Sequence, residues 1–125
     1  MLTSLRLPAA ATLVALLSAT TARTECSLSP FVFFPDRNDR VRAVAETDAA
    51  SFCDNSFREG PGYRFTKVSV VQVPRHGLIA TLGPNHLAYR ALPNFSGQDR
   101  YTIRACATVG ARKGCSTLIY DVTVR

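Results

Sequence analysis

From Tyr63 to Arg125 the chain swings between short runs of β-branched and aromatic side chains and turns built from Gly, Pro and Asn. The interval is about ten residues, the spacing of an all-β sandwich or barrel. The run Tyr63–Val73 holds Tyr63, Phe65, Val68, Val70, Val71 and Val73, and its alternation slips phase twice, which predicts a bulge. A turn at Pro74–Gly77 precedes a strand over Leu78–Leu82, and a turn at Gly83–His86 precedes one carrying Leu87, Tyr89 and Ala91. Two further strands carry Tyr101, Ile103 and Ala105, then Leu118, Tyr120, Val122 and Val124. Between them, Pro93–Tyr101 combines turn-forming Pro93, Asn94, Ser96 and Gly97 with Phe95, whose exposure would waste a large apolar group. Phe95 is therefore expected to plug one end of a core.

The upstream half reads less clearly. Phe31–Phe34 is a short apolar run ending at Pro35 and suits a first strand packed on both sides. Pro35–Arg40 is a polar turn. Val41, Ala43 and Ala45 alternate like a strand in a stretch whose alanines would also suit a helix; the alternation favours the strand. Cys53–Gly62 reads as a loop closed by Gly60-Pro61-Gly62.

Met1–Ala22 has one early charge at Arg6, an apolar stretch from Leu7 through Ala19, and small residues up to Ala22. This is the pattern of a secretory signal peptide, and the apolar stretch falls short of the ~20 residues that span a bilayer. The reading is a signal peptide over residues 1–22 and one domain over 23–125, secreted or periplasmic, with no membrane span after cleavage. A lipid-anchored Cys26 is disfavoured because Arg23-Thr24-Glu25 precedes it.

All four cysteines (Cys26, Cys53, Cys106 and Cys115) follow the leader, and an even count in a small exported domain reads as two disulfides. Strand parity selects among the three possible connectivities. Apolar residues are odd-numbered in the run ending at Ala107 and even-numbered in the run after Cys115, so both Cys106 and Cys115 point to the outer face. They flank residues 107–114, read as an eight-residue loop, and should close that hairpin, leaving Cys26 to pair with Cys53. Loop entropy assigns about 2.7 kcal/mol to the short closure and about 3.6 to the long one. Without a Cys-x-x-Cys pair, a metal site is disfavoured.

The whole chain carries 15 Lys and Arg against 9 Asp and Glu, a formal +6. The arginines are scattered without a dense block, which reads as a solvated surface, or more sharply as attraction to anionic partners. An exported chain without a basic cluster is a poor nucleic-acid binder.

Pro74-x-His76-Gly77-x-Ile79, then Leu87-x-Tyr89-x-x-x-Pro93-Asn94-Phe95-x-Gly97-x-Asp99-x-Tyr101-x-Ile103, then Tyr120-x-Val122-x-Val124, resembles the bacterial cadherin-like, immunoglobulin-like (Ig-like) domains of secreted and surface proteins. The likeness covers the C-terminal half. It implies a Greek-key β-sandwich of about seven strands. Gly77 and Gly97 would take positive φ in tight turns, Asp99 would accept backbone N–H bonds that fix a corner, and Phe95 and Tyr101 would pack at its base, with Tyr89 part of the same motif. The chain departs from that family in being one domain with its own leader and in its disulfides, which argues against a bead in a long stalk.

No residue set points to catalysis. His76 and His86 read as turn residues, two histidines cannot build a copper–zinc dismutase site, and there is no Gly-x-Ser-x-Gly elbow. No cofactor is implied. Asp36, Asn38 and Asp39 supply oxygens at a spacing similar to calcium loops, yet lack the Gly and bidentate Glu of such a loop; a plain turn is favoured. Asn94-Phe95-Ser96 fits the N-glycosylation pattern but is spelled by the motif itself. The aromatic residues Phe31, Phe33, Phe34, Tyr63, Phe65, Tyr89, Tyr101 and Tyr120 are assigned to the core. The remaining candidates are Arg112 and Lys113, held in a clamped loop that would lose little entropy on binding. The expected function is a non-catalytic binding or structural module at the cell envelope, recognising a protein or an acidic glycan. The alternative is a secreted inhibitor or effector that inserts the loop 107–114 into a target.

Overall fold

The two longest strands lie side by side at the centre of the molecule, where each turns every second side chain inward. The computed structural model describes residues 26–125; the leader assigned to 1–22 lies outside the described residues. Eight strands form: β1 (Ser27–Leu28), β2 (Arg40–Thr47), β3 (Phe52–Ser56), β4 (Tyr63–Gln72), β5 (Gly77–Gly83), β6 (His86–Ala91), β7 (Gly97–Val109) and β8 (Arg112–Val124). One sheet runs β1-β2-β8-β7-β4 and the other β3-β6-β5. All pairings are antiparallel except β2 with β8. Pro35–Arg37 forms a 3-10 turn against β7 and β8.

Between the sheets, Tyr101, Ile103, Ala105 and Ala107 of β7 meet Leu118, Tyr120, Val122 and Val124 of β8, all buried. Ala43 and Ala45 of β2, Phe65 and Val68 of β4, and Leu87, Tyr89 and Ala91 of β6 complete the same core. Each fully buried large apolar side chain contributes about 1.5–3 kcal/mol. Three tyrosine rings stack through the centre, Tyr89 on Tyr101 with centroids 5.3 Å apart and Tyr101 on Tyr120 at 4.6 Å. The Tyr120 hydroxyl accepts from Asn55 Nδ2 at 2.6 Å, so a buried polar tip finds its partner. β4 shifts register twice, between Phe65 and Lys67 and between Val70 and Gln72, as the double phase slip predicts.

Both disulfides join the cysteines that parity pairs. Cys106–Cys115 lies at directly opposed positions of β7 and β8, and Cys26–Cys53 links the chain just before β1 to β3 in the other sheet. The alanine-rich stretch is a strand, fixed by its parallel pairing from Arg40–Thr117 to Thr47–Val124.

Three sequence expectations give way. Phe31–Phe34 joins no ladder and is not packed on both sides. Phe31 and Phe33 turn to the core, while Val32 (79% exposed) and Phe34 (50%) face out, and Phe34 lies beneath the Arg37 guanidinium. Its backbone is occupied elsewhere: Phe34 N–H donates to Asp39 Oδ2 at 2.7 Å, and its carbonyl accepts from Ser116 Oγ at 2.9 Å. The loop expected over Cys53–Gly62 contains most of β3, where pairing with β6 and the disulfide override the poor strand propensity of Asp54, Asn55 and Ser56. Finally, residues 107–114 are no eight-residue loop. The ladder continues to Val109 opposite Arg112, leaving a two-residue turn at Gly110-Ala111 with Gly110 at φ 59°, the conformation that suits Gly at the first turn position.

Candidate functional site

Asp99, at the start of β7, gathers the corner between β4 and β5. Its Oδ1 accepts the backbone N–H groups of Arg75 (3.1 Å) and Arg100 (2.9 Å), and its Oδ2 accepts the His76 N–H (3.2 Å) and the Tyr89 hydroxyl (2.7 Å). A buried carboxylate is tolerated there because four donors replace its water. Phe95 is half-buried and stacks face to face on the His76 ring, with centroids 4.2 Å apart. Gly97 has φ 135°, whereas Gly77 is not at positive φ. Gly77 is required for a different reason: a Cβ there would run into the Tyr89 ring and lie 2.8 Å from the Arg90 carbonyl oxygen. Tyr101 sits deeper than the corner's base, in the central ring stack. Burial pushes the Tyr89 hydroxyl far above its ordinary range, and the bond to Asp99 adds to that. The Asp99 carboxylate and the Tyr89 hydroxyl are thus satisfied internally, and this pair reads as framework.

The calcium candidates are likewise engaged in structure. Asp39 Oδ2 caps Phe34, Asp36 faces Arg112 Nε at 3.3 Å, and Asn38 takes the left-handed conformation that ends the 3-10 turn. Among the described residues, no group of three or more His, Cys, Asp or Glu could hold a metal. The turn presses on β8 where Gly114 leaves room; a Cβ there would lie 2.8 Å from Asp36 Cα.

Arg112 and Lys113 do not form one recognition tip. Being consecutive in a strand, they point to opposite faces. Arg112 is drawn to Asp36, and Lys113 opposes Thr108 on the outer face of the five-stranded sheet.

That outer face is where the charge collects. Its registers set Arg40, Thr117, Arg104 and Ser69 in one row across β2, β8, β7 and β4. Lys113, Thr108 and Arg64 form another row, with Cys115, Cys106 and Lys67 between the two. Further along, Arg42 and Arg100 share the Asp121 carboxylate at 3.2 and 2.6 Å, and Arg125 at the rim meets Glu46 at 3.1 Å. Eight cations thus stand on or beside this face against two carboxylates, while the rest of residues 26–125 carry five cations and six carboxylates. Both acids lie at the end remote from the β7–β8 turn. At the turn end Arg40, Arg64, Lys67, Arg104 and Lys113 are exposed and, among the described residues, have no acidic partner. Cations two strands apart are separated by roughly 10 Å, about one Debye length, so their fields add.

Neither a protein-family model, nor a curated protein, nor a solved structure corresponds to this chain.

Sequence reasoning on the scattered arginines missed this face. Part of the signal was there, since Arg40 and Arg42 oppose the parity of Ala43 and Ala45, and Arg100 and Arg104 that of Tyr101 and Ile103. The adjacency of β2 to β8 across most of the chain was not, and two bulges in β4 hide the parity of Lys67.

Proposed function

We propose that the protein is an exported, non-catalytic binding module with an Ig-like, cadherin-like Greek-key sandwich, whose basic sheet face takes an acidic partner. The observation that carries the reading is the segregation of charge: the whole positive excess of the described residues stands on one open sheet face. Such a face concentrates anions and speeds their encounter. The topology supports the Ig-like assignment, with β7 and β8 at the sheet centre, β2 running parallel to β8, and β3-β6-β5 opposite. Export is supported by the pattern of residues 1–22 and by two disulfides, which persist in oxidising compartments. Among the described residues no helix is long and apolar enough to cross a membrane. The alternative, an inhibitor that inserts residues 107–114, draws less support from the geometry, because the turn is two residues long and Arg112 faces Asp36.

The test is elution from a sulfonate cation exchanger. The double variant Arg40→Glu/Arg104→Glu should elute at markedly lower salt than Arg58→Glu/Arg90→Glu, which changes the net charge equally but off the face. Equal shifts would show that total charge governs binding and would discard the face.

A further inference from the structure

The turn end of the basic face has a composition more specific than positive charge. In two rows a cation, a hydroxyl and a second cation follow one another across adjacent strands: Arg40, Thr117, Arg104, and Lys113, Thr108, Arg64. Ser69 extends the first row beyond Arg104. Within each row the cations are two interstrand spacings apart, roughly 10 Å, with a hydroxyl at the midpoint. The Cys106–Cys115 disulfide lies between the rows and fixes β7 to β8 there, so the spacing is rigid before any ligand arrives. None of the exposed large apolar side chains belongs to these rows; they are Val32, Phe34, Val44, Phe52, Val71, Val73, Leu78, Leu82 and Leu92.

Each feature selects among acidic partners. Protein interfaces concentrate their affinity in aromatic and apolar anchors with charge depleted at the centre, and these rows invert that composition. Single-stranded nucleic acid needs aromatic platforms for its bases, which the rows lack. A sugar chain needs donors and acceptors for its hydroxyls together with cations for its charged groups, and an extended pyranose residue advances by about one interstrand spacing. We propose that the turn end of the basic face binds a linear acidic polysaccharide carrying an anionic group on alternate rings. Arg40 with Arg104, and Lys113 with Arg64, take successive carboxylates or sulfates, while Thr117 and Thr108 bond the uncharged ring between them. This rests on the acidic-partner reading above and narrows it to one chemical class.

The experiment measures binding at low salt to four probes: hyaluronate, which carries one carboxylate on every second ring, neutral dextran, poly-L-glutamate, and phosphatidylglycerol vesicles. Hyaluronate is expected to bind more tightly per charge than polyglutamate or vesicles, dextran not at all, and the affinity should fall as salt rises. Arg40→Glu/Arg104→Glu should weaken hyaluronate at least tenfold, Arg58→Glu/Arg90→Glu no more than about twofold, and Thr117→Val severalfold while leaving polyglutamate unchanged. All these positions are solvent-facing or partly so, and circular dichroism with the thermal midpoint verifies that each variant is folded. Polyglutamate binding as tightly as hyaluronate and losing affinity in the same face variant would overturn the glycan while preserving an acidic partner. Tighter binding to the vesicles would replace it with a lipid surface. Failure to bind any anionic probe would remove both readings.

Discussion

Asp99 is the residue on which most of the motif's geometry converges. Four donors from β4–β5, β6 and β7 end on its two oxygens. In Asp99→Asn one oxygen becomes an NH2 facing donors, which should cost about 3 kcal/mol. Tyr89→Phe removes one donor only and should cost about 1; urea unfolding of both variants measures the difference. The stacked tyrosines set the alkaline limit. Burial first, and then the neighbouring Tyr120, Tyr89 and Asp99, raise the Tyr101 hydroxyl far above its ordinary 10.0, and burial does the same for Tyr120. A group whose proton is held more tightly folded than unfolded gives its full stabilisation below the unfolded value and loses it as pH rises above that. The stabilisation from these tyrosines should therefore be fully present well below about pH 10 and be lost progressively as the pH rises past it. Tyr101→Phe should make that loss shallower in denaturant titrations at stepped pH. The motif resemblance implied that Asp99 would accept backbone N–H bonds, as it does, and that Gly77 would take positive φ, which it does not. It misjudged why Gly77 is needed, because the close approach of Tyr89 belongs to a different strand.

At the scale of the element, the two disulfides do different work. Cys106–Cys115 joins opposed positions of the β7–β8 ladder and closes a short loop, with a sequence separation of 9. Cys26–Cys53 spans 27 residues and ties the two sheets together. Because a disulfide acts mainly by restricting the unfolded chain, replacing Cys106 and Cys115 by serine should cost about 2.7 kcal/mol and replacing Cys26 and Cys53 about 3.6. Denaturant midpoints of the two double variants give the order, and the reverse order would place the weak point in the hairpin. Strands β4 to β8 were legible because runs of β-branched, aromatic and aliphatic side chains are set off by turns of Gly, Pro and Asn. Strand β3 was not, since Asp54, Asn55 and Ser56 carry little strand signal and are held by Ala88, Leu87 and His86 opposite.

For the whole molecule, the decisive property is where charge sits. Lys113→Glu alters the basic face and should elute earlier from a cation exchanger. Arg112→Glu changes the same net charge on the opposite side, so it should shift elution less, while placing a second carboxylate beside Asp36 and lowering the thermal midpoint by a few degrees. Residue types and their alternation determined by themselves that this would be an all-β protein with two cysteine pairs, because period-two patterning and parity act within a single strand and need no knowledge of its neighbours. Tertiary structure alone decided the rest: that Phe31–Phe34 would lie outside any ladder, that the loop would close to two residues, and that cations as far apart as Arg40, Arg64, Arg104 and Lys113 would share a face. The physical reason is that strand order fixes which distant residues become lateral neighbours, and the pairing of β2 with β8 is a long-range contact that no local pattern encodes.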